Sequence, residues 1–376
     1  MKKILNQRII FGCYPILKVS LCSFFILSSC SFLSFAKGKS SLDLVDFNDL
    51  NLNKVHFRDS LNAFIESCKT ISKYEENFHI NKKLVSVRIV DYRKSCENAL
   101  AIKGTITRKK FIEFLRQNFK VYKVRNVKES FFTGYFLPEI EASFEYSDIY
   151  QYPIYKKPAT LSNISHLLSR KKIYDGALQH LNLEIAWAKS DIDLFFLHIQ
   201  GSGVLKMPNG ERYMLSYSES NGHKYYAIGK YFKEKSLLDN INAYSIKKWL
   251  LNNPEQKNDV LNMNPSFIFF KFGKNMDVVG GSSSKLIANS SLAVDDDLYP
   301  YGLPVLIETE VPNYYKKGQK KEYSNVLIMQ DTGSDIIGAN RGDIYFGYGE
   351  EAEYQASMMK NHGKMYIFVP NNAVVH

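Results

Sequence analysis

The chain has 376 residues, with 49 Lys and Arg against 38 Asp and Glu and a formal net charge of +11. That length is enough for two domains with sizeable cores, and the composition is that of an ordinary globular protein, though Tyr and Phe number 25 each. The positive charges are scattered rather than blocked, and there is no helix-turn-helix, zinc knuckle or aromatic-basic signature, which argues against a nucleic-acid partner.

The first 36 residues read as an export leader. Lys2, Lys3 and Arg8 form a basic start, and an apolar stretch follows from Val19 to Leu27. It ends in Leu27-Ser28-Ser29-Cys30, which resembles a bacterial lipobox and makes Cys30 a candidate for lipidation. Ser34-Phe35-Ala36 offers an ordinary cleavage site instead, and the run is short for a membrane span. The expectation is export to the periplasm, with outer-membrane anchoring if Cys30 carries lipid. A basic exported protein suits an anionic partner such as the cell wall or a membrane surface. Past the leader only Cys68 and Cys96 remain, candidates for a disulfide or for two buried thiols. No Cys/His spacing suggests a metal, and no cofactor is expected.

Ser41 to Asn53 reads as a linker. Phe57 to Ser72, Lys83 to Ile102 and Thr107 to Phe119 carry apolar residues at helical spacing, giving a small helical subdomain. After Val121 the texture becomes β-like. Phe131 to Pro138 is a strand ending at a proline, and Ala142 to Lys157 holds short tyrosine-rich strands. Ser162 to Gln179 is a helix-loop stretch. Ser190 to Asp193 opens a short helical or strand element, and Phe195 to Leu205 is an apolar strand broken by Gly201-Ser202-Gly203. Pro208-Asn209-Gly210 turns it into a hairpin with Glu211 to Ser218. Tyr226 to Phe232 and Ile246 to Leu251 look helical. Phe267 to Phe270 is a buried strand, and the remainder reads as all-β.

Several groups could carry chemistry. Val326 to Met329 is a buried strand leading into Gln330-Asp331-Thr332-Gly333, and a second aspartate, Asp343, stands just before another apolar pair. Asp331 and Asp343 could face one cleft or simply cap turns. Gln200 and Ser202 could hydrogen-bond a hydroxyl-rich ligand, with glycines allowing its approach, or mark a bulge. The elbow of serine hydrolases does not fit there. His198 and His223 receive no role. Thr133 and Tyr135 share a strand face by period two, and Asp295 directly follows an apolar run into three acids.

Taken together, these segments resemble the membrane-bound lytic murein transglycosylases of type A. The marks are Phe-Thr-Gly-Tyr-Phe from Phe132, Ile-Gln-Gly-Ser-Gly from Ile199, and Asn-Gly-His from Asn221. Asn-Pro-Ser-Phe from Asn264, Ser-Leu-Ala-Val-Asp from Ser291, and Gln-Asp-Thr-Gly followed by Arg-Gly-Asp-Ile-Tyr-Phe-Gly complete them. The last segment also resembles the 3D domain, whose three aspartates would be Asp295, Asp331 and Asp343. The resemblance implies a double-psi β-barrel domain from residues 37–137 and 263–376, with a smaller β-domain, 138–262, inserted to form a groove. It implies binding of peptidoglycan glycan strands and cutting between N-acetylmuramic acid and N-acetylglucosamine, the muramoyl 6-hydroxyl closing a 1,6-anhydro ring; a glycoside hydrolase using water and a non-catalytic wall-binding protein are the alternatives, and a monomer is expected. Asp343 matches the catalytic acid and Asp331 a supporting acid, with Thr133, Tyr135, Gln200, Ser202 and Asp295 at the substrate. One departure is Gly333-Ser334-Asp335-Ile336-Ile337-Gly338, where the family usually has Gly-Gly-Ala-Ile-Lys-Gly.

Overall fold

Val305 and Ile307 point one way from their strand and Leu306 the other, yet all three are fully buried. The same holds for Leu327 and Met329 against Val326 and Ile328. Strands buried on both faces need a layer outside as well as a core inside, and they read as unbroken apolar runs. The computed structural model supplies both layers; it describes residues 41–159, 168–273, 277–333 and 335–376. The leader with Cys30, residues 162–167 of the helix-loop stretch, and Ser334 lie outside these.

The chain opens with β1 (Leu42–Val45), where a linker was expected; it pairs with β4 (Phe119–Val124). Between them come α1 (Phe57–Ile71), β2 (His79–Asn81), β3 (Val85–Arg88), α2 (Ile89–Ile102) and α3 (Arg108–Asn118). The stretch from Lys83 is thus part strand and part helix. Next is β5 (Ser130–Leu137). The inserted region holds β6 (Glu139–Ser143), β7 (Tyr152–Tyr155), β8 (Glu184–Ala188), α4 (Asp191–Gln200), β9 (Gly203–Lys206) and β10 (Arg212–Ser220). It continues with α5 (Gly229–Glu234), α6 (Ala243–Asn252), α7 (Pro254–Asn262) and β11 (Ile268–Phe272). Then follow β12 (Ser291–Ala293), β13 (Pro304–Pro312), β14 (Lys320–Asp331), β15 (Arg341–Tyr348), α8 (Glu350–Met358), β16 (Lys360–Pro370) and β17 (Val374–Val375).

Strands run β16-β13-β14-β12-β15-β5, and β5 pairs back onto β16, closing a six-stranded barrel. The β12–β14 and β15–β5 seams are parallel. The barrel interior is filled by residues such as Phe132, Leu292, Val305, Met329, Ile344 and Ile367. The helices are no free-standing subdomain: Phe64, Phe114 and Leu115 pack with Leu306, Val326 and Phe368 on the barrel's outer wall. Cys68 and Cys96 form a disulfide joining α1 to α2.

A second sheet, β11-β10-β9-β6-β8-β7, is inserted between β5 and β12. Because β11 belongs to it, the chain returns to the barrel after Phe272 rather than at 263. The expected apolar strand from Phe195 is instead α4. Ser190 caps its start by accepting from Asp193 N at 3.1 Å, and Gly201, at φ +75°, ends it. Helix α8 likewise interrupts the expected all-β region, with Ala352 and Ala356 in the barrel core cluster.

The disulfide closes a separation of 28 residues. Reducing it should destabilise the protein by about 3–4 kcal/mol, read as a lower urea midpoint with reductant than without.

Candidate active site

The barrel strands β14, β12, β15 and β5 carry one row of residues across their outer face. Ala293 pairs with Asp331 on one side and Asp343 on the other, and Asp343 pairs with Thr133. Neighbouring strands lie about 4.8 Å apart, so the two aspartate backbones are separated by about 10 Å with only a methyl group between them. Alternation along β14 would turn Asp331 inward with Leu327 and Met329. The register prevents this: Leu292 pairs with Met329 but Ala293 pairs with Asp331, so Gln330 is the extra residue of a bulge. Gln330 turns towards α1, donating to Ala63 O and Ser67 Oγ at 3.0 Å and accepting from Ser291 Oγ at 2.6 Å.

Both aspartates are buried, Asp343 at 1% exposure and Asp331 at 5%. Asp331 Oδ1 accepts from Gly281 N at 2.8 Å and Thr332 N at 2.9 Å, and its Oδ2 from the Tyr135 hydroxyl at 2.9 Å. Burial raises the Asp331 carboxyl above the usual range; the three donors oppose that rise, and neighbouring Asp343 adds to it. Burial, and then Asp331, also push the Tyr135 phenol well up, so it remains a donor. Asp343 Oδ1 accepts from the Thr133 hydroxyl, which accepts from Arg341 Nη2 at 2.6 Å. Burial lowers the Arg341 guanidinium, with Asp343 and Asp335 opposing.

Tyr135 and Tyr345 stand side by side, ring centres 5.2 Å apart, in a small cluster with Leu286 and Ala293. Val278 packs on that cluster and also on Leu137, Val204 and Met214, joining the barrel face to the inserted sheet. The turn holding Gln200 and Ser202 sits at this seam. Val204 N donates to Pro138 O at 2.7 Å, and a Cβ on Gly203 would stand 2.8 Å from that carbonyl. Asp295 stands apart from the row. Its oxygens accept from Gly338 N at 2.8 Å and Asp297 N at 3.1 Å, bracing the turn before β15. Asp335 is exposed, and Ile337, at the position where the family usually has lysine, is 74% exposed.

The other motifs are structural. Asn221 binds Pro265 O and Phe267 N, and His198 Nδ1 meets the fully buried Arg170 at 2.9 Å. Burial, then Arg170, holds the His198 imidazole far below its usual value, so it is neutral. The sequence reading missed Arg341 and Gly281. Arg341 lies two residues before Asp343, so period two already placed it on the same face; the Gly281 contact is long-range and left no local trace. Among the described residues no group of three or more His, Cys, Asp or Glu could hold a metal.

The fold and site define a six-stranded barrel protein with an inserted sheet and two buried aspartates in register on the barrel's outer face. Residues 131–271 match the MltA specific insert domain and residues 290–369 match the 3D domain. The chain belongs to the MltA family. It is 32% identical over 239 residues to the membrane-bound lytic murein transglycosylase A of Vibrio cholerae, a match spanning 62% of this chain and 64% of that relative. The crystal structure of a membrane-bound lytic murein transglycosylase from Agrobacterium tumefaciens is similar at a TM-score of 0.67 and 28% identity, covering 88% of this chain and 98% of that one. MltA from Neisseria gonorrhoeae shares the fold at a TM-score of 0.72 and 24% identity, covering 90% and 94%.

Asp331 supplies a stability test. Its folded value is raised above the unfolded one, near 3.9. The stability it contributes is therefore complete below the unfolded value and is lost as pH rises through the folded one. Asp331→Asn should melt above the wild type at neutral pH, with the gain vanishing below the ordinary aspartate range, as read by calorimetry across pH.

Proposed function

We propose that the protein is a lytic transglycosylase that cuts the β-1,4 bond between N-acetylmuramic acid and N-acetylglucosamine in peptidoglycan, leaving a 1,6-anhydromuramoyl end. The observation that carries this is the unequal state of the two aspartates. Asp331 accepts three hydrogen bonds, leaving it ill-suited to activate water. Glycoside hydrolysis normally needs a second carboxylate as base or nucleophile. When the substrate's own hydroxyl attacks, one carboxyl suffices, because the nucleophile is already held at high effective concentration. Asp343 then protonates the glycosidic oxygen and takes the proton of the 6-hydroxyl.

Asp331 tunes this acid: a negative charge there opposes a second one on Asp343. Its burial also keeps competing water scarce. The glycan strand would run between the barrel face and the inserted sheet, with Tyr135 on one side and Gln200 and Ser202 on the other. Thr133 and Asp295 act from beneath, through Asp343 and the 338 turn. A solved structure of E. coli MltA, 24% identical, holds chitohexaose, which supports a β-1,4 glycan as ligand for this groove. The relatives' description as membrane-bound, with the lipobox-like sequence at Cys30, supports export to the periplasm and lipid anchoring to the outer membrane; the protein would act there as a monomer. No helix among the described residues is long and apolar enough to cross a membrane.

Mass spectrometry of a digest of purified peptidoglycan tests this reading. Wild-type protein should release anhydro-muropeptides. Asp343→Asn should lose about 10³-fold or more in turnover, and Asp331→Asn less, with its alkaline limb moved to lower pH. Undiminished turnover by Asp343→Asn would remove Asp343 from the role.

A further inference from the structure

Arg341 shares a strand face with Asp343 and is itself buried. Its guanidinium only donates. Nη1 donates to the Gly342 carbonyl at 2.6 Å and the Phe131 carbonyl at 3.5 Å, which fixes the plane of the group, while Nη2 donates to Thr133 Oγ1 at 2.6 Å. Its carbon lies 5.1 Å from the Phe131 ring centre. With Thr133 Oγ1 accepting from Arg341, the hydroxyl gives its single proton to Asp343 Oδ1. The chain of donors runs one way, from Arg341 through Thr133 to Asp343.

We propose that Arg341 and Thr133 are positioning residues that hold Oδ1 of Asp343 as an accepting oxygen and thereby assign the proton exchanged with the glycan to Oδ2. This rests on the reading of Asp343 as the acid. In the reaction, the proton leaves Oδ2 for the glycosidic oxygen as the bond from that oxygen to the muramoyl anomeric carbon breaks. The muramoyl 6-hydroxyl oxygen bonds to the same carbon, and its proton returns to Oδ2, so atoms balance without water. Between the two transfers Asp343 is anionic, and the hydrogen bond from Thr133 is then charge-assisted and at its strongest. The arrangement therefore favours the intermediate state over either end state. It also gives Thr133 a task other than holding sugar, since its hydroxyl is engaged on both sides.

The charged and titratable groups in and around this row are Arg341 and Tyr345 on the Asp343 strand, Asp331 from β14, Asp335 from the turn before β15, Tyr135 from β5, and Lys360 of β16, which pairs with Thr133. Removing the Thr133 donor or the Arg341 cation takes away support for the anion. Thr133→Val and Arg341→Met should each lower kcat about tenfold or more, leave KM little changed, and move the alkaline limb of the kcat profile to higher pH. Thr133→Ser should keep that limb in place. The kcat losses should not multiply in the double variant, because both act through one hydrogen bond. Carboxyl titration of Asp343 by isotope-edited infrared spectroscopy on the full chain, without substrate, should show the same upward movement. That readout survives even if the protein proves not to be a transglycosylase, so the two failures are distinguishable. An Asp343 titration unmoved by Thr133→Val, or losses that multiply, would overturn the proposal. Should Arg341→Met not fold, Thr133→Val, which keeps the size of the side chain, carries the test.

Discussion

The site depends on one register step between β14 and β12. Without the bulge at Gln330, Asp331 would follow Leu327 and Met329 into the barrel core, an unpaired charge among aliphatic side chains. With it, Asp331 joins Ala293, Asp343 and Thr133 in one row outside. Gln330 makes the step durable, because its amide spans from Ala63 and Ser67 on α1 to Ser291 on β12. Helix α1 thus holds β14 at the same end that carries Asp331. The Cys68–Cys96 link behind that helix belongs to the same chain of support.

Around this row the two aspartates are given different surroundings. Two backbone amides and a phenol meet Asp331, while the donor relay from Arg341 through Thr133 meets Asp343. Paired carboxyls in unlike environments are how one site separates an acid from its electrostatic partner. Ala293 between them is the smallest side chain that keeps the sheet continuous, and it brings no group of its own to compete. The seam at Val278, Pro138 and Gly203 sets the inserted sheet against this face, through side-chain packing at Val278 and a backbone contact between Val204 and Pro138.

Much of this was legible in the sequence. Val326 to Met329 read as a buried strand, and Asp331 and Asp343 stood where strands meet a glycine turn. Period two on Phe131 to Leu137 put Thr133 and Tyr135 on one face. Other features were not readable locally. Phe195 to Ile199 is buried on all sides of α4, so it lacks the polar stripe that marks a helix. Its caps, Ser190 and Gly201, were the surviving signal. The bulge, the Gly281 contact and the closure of β5 onto β16 join residues far apart in sequence, and no pattern within a window encodes them.

The central claim is that the substrate's own hydroxyl, not water, completes the cut beside Asp343. The most direct measurement is to digest purified peptidoglycan in water enriched in heavy oxygen and weigh the new chain ends. The account predicts anhydro ends free of heavy oxygen. Reducing ends carrying one heavy oxygen per cut would contradict it and make the protein a hydrolase.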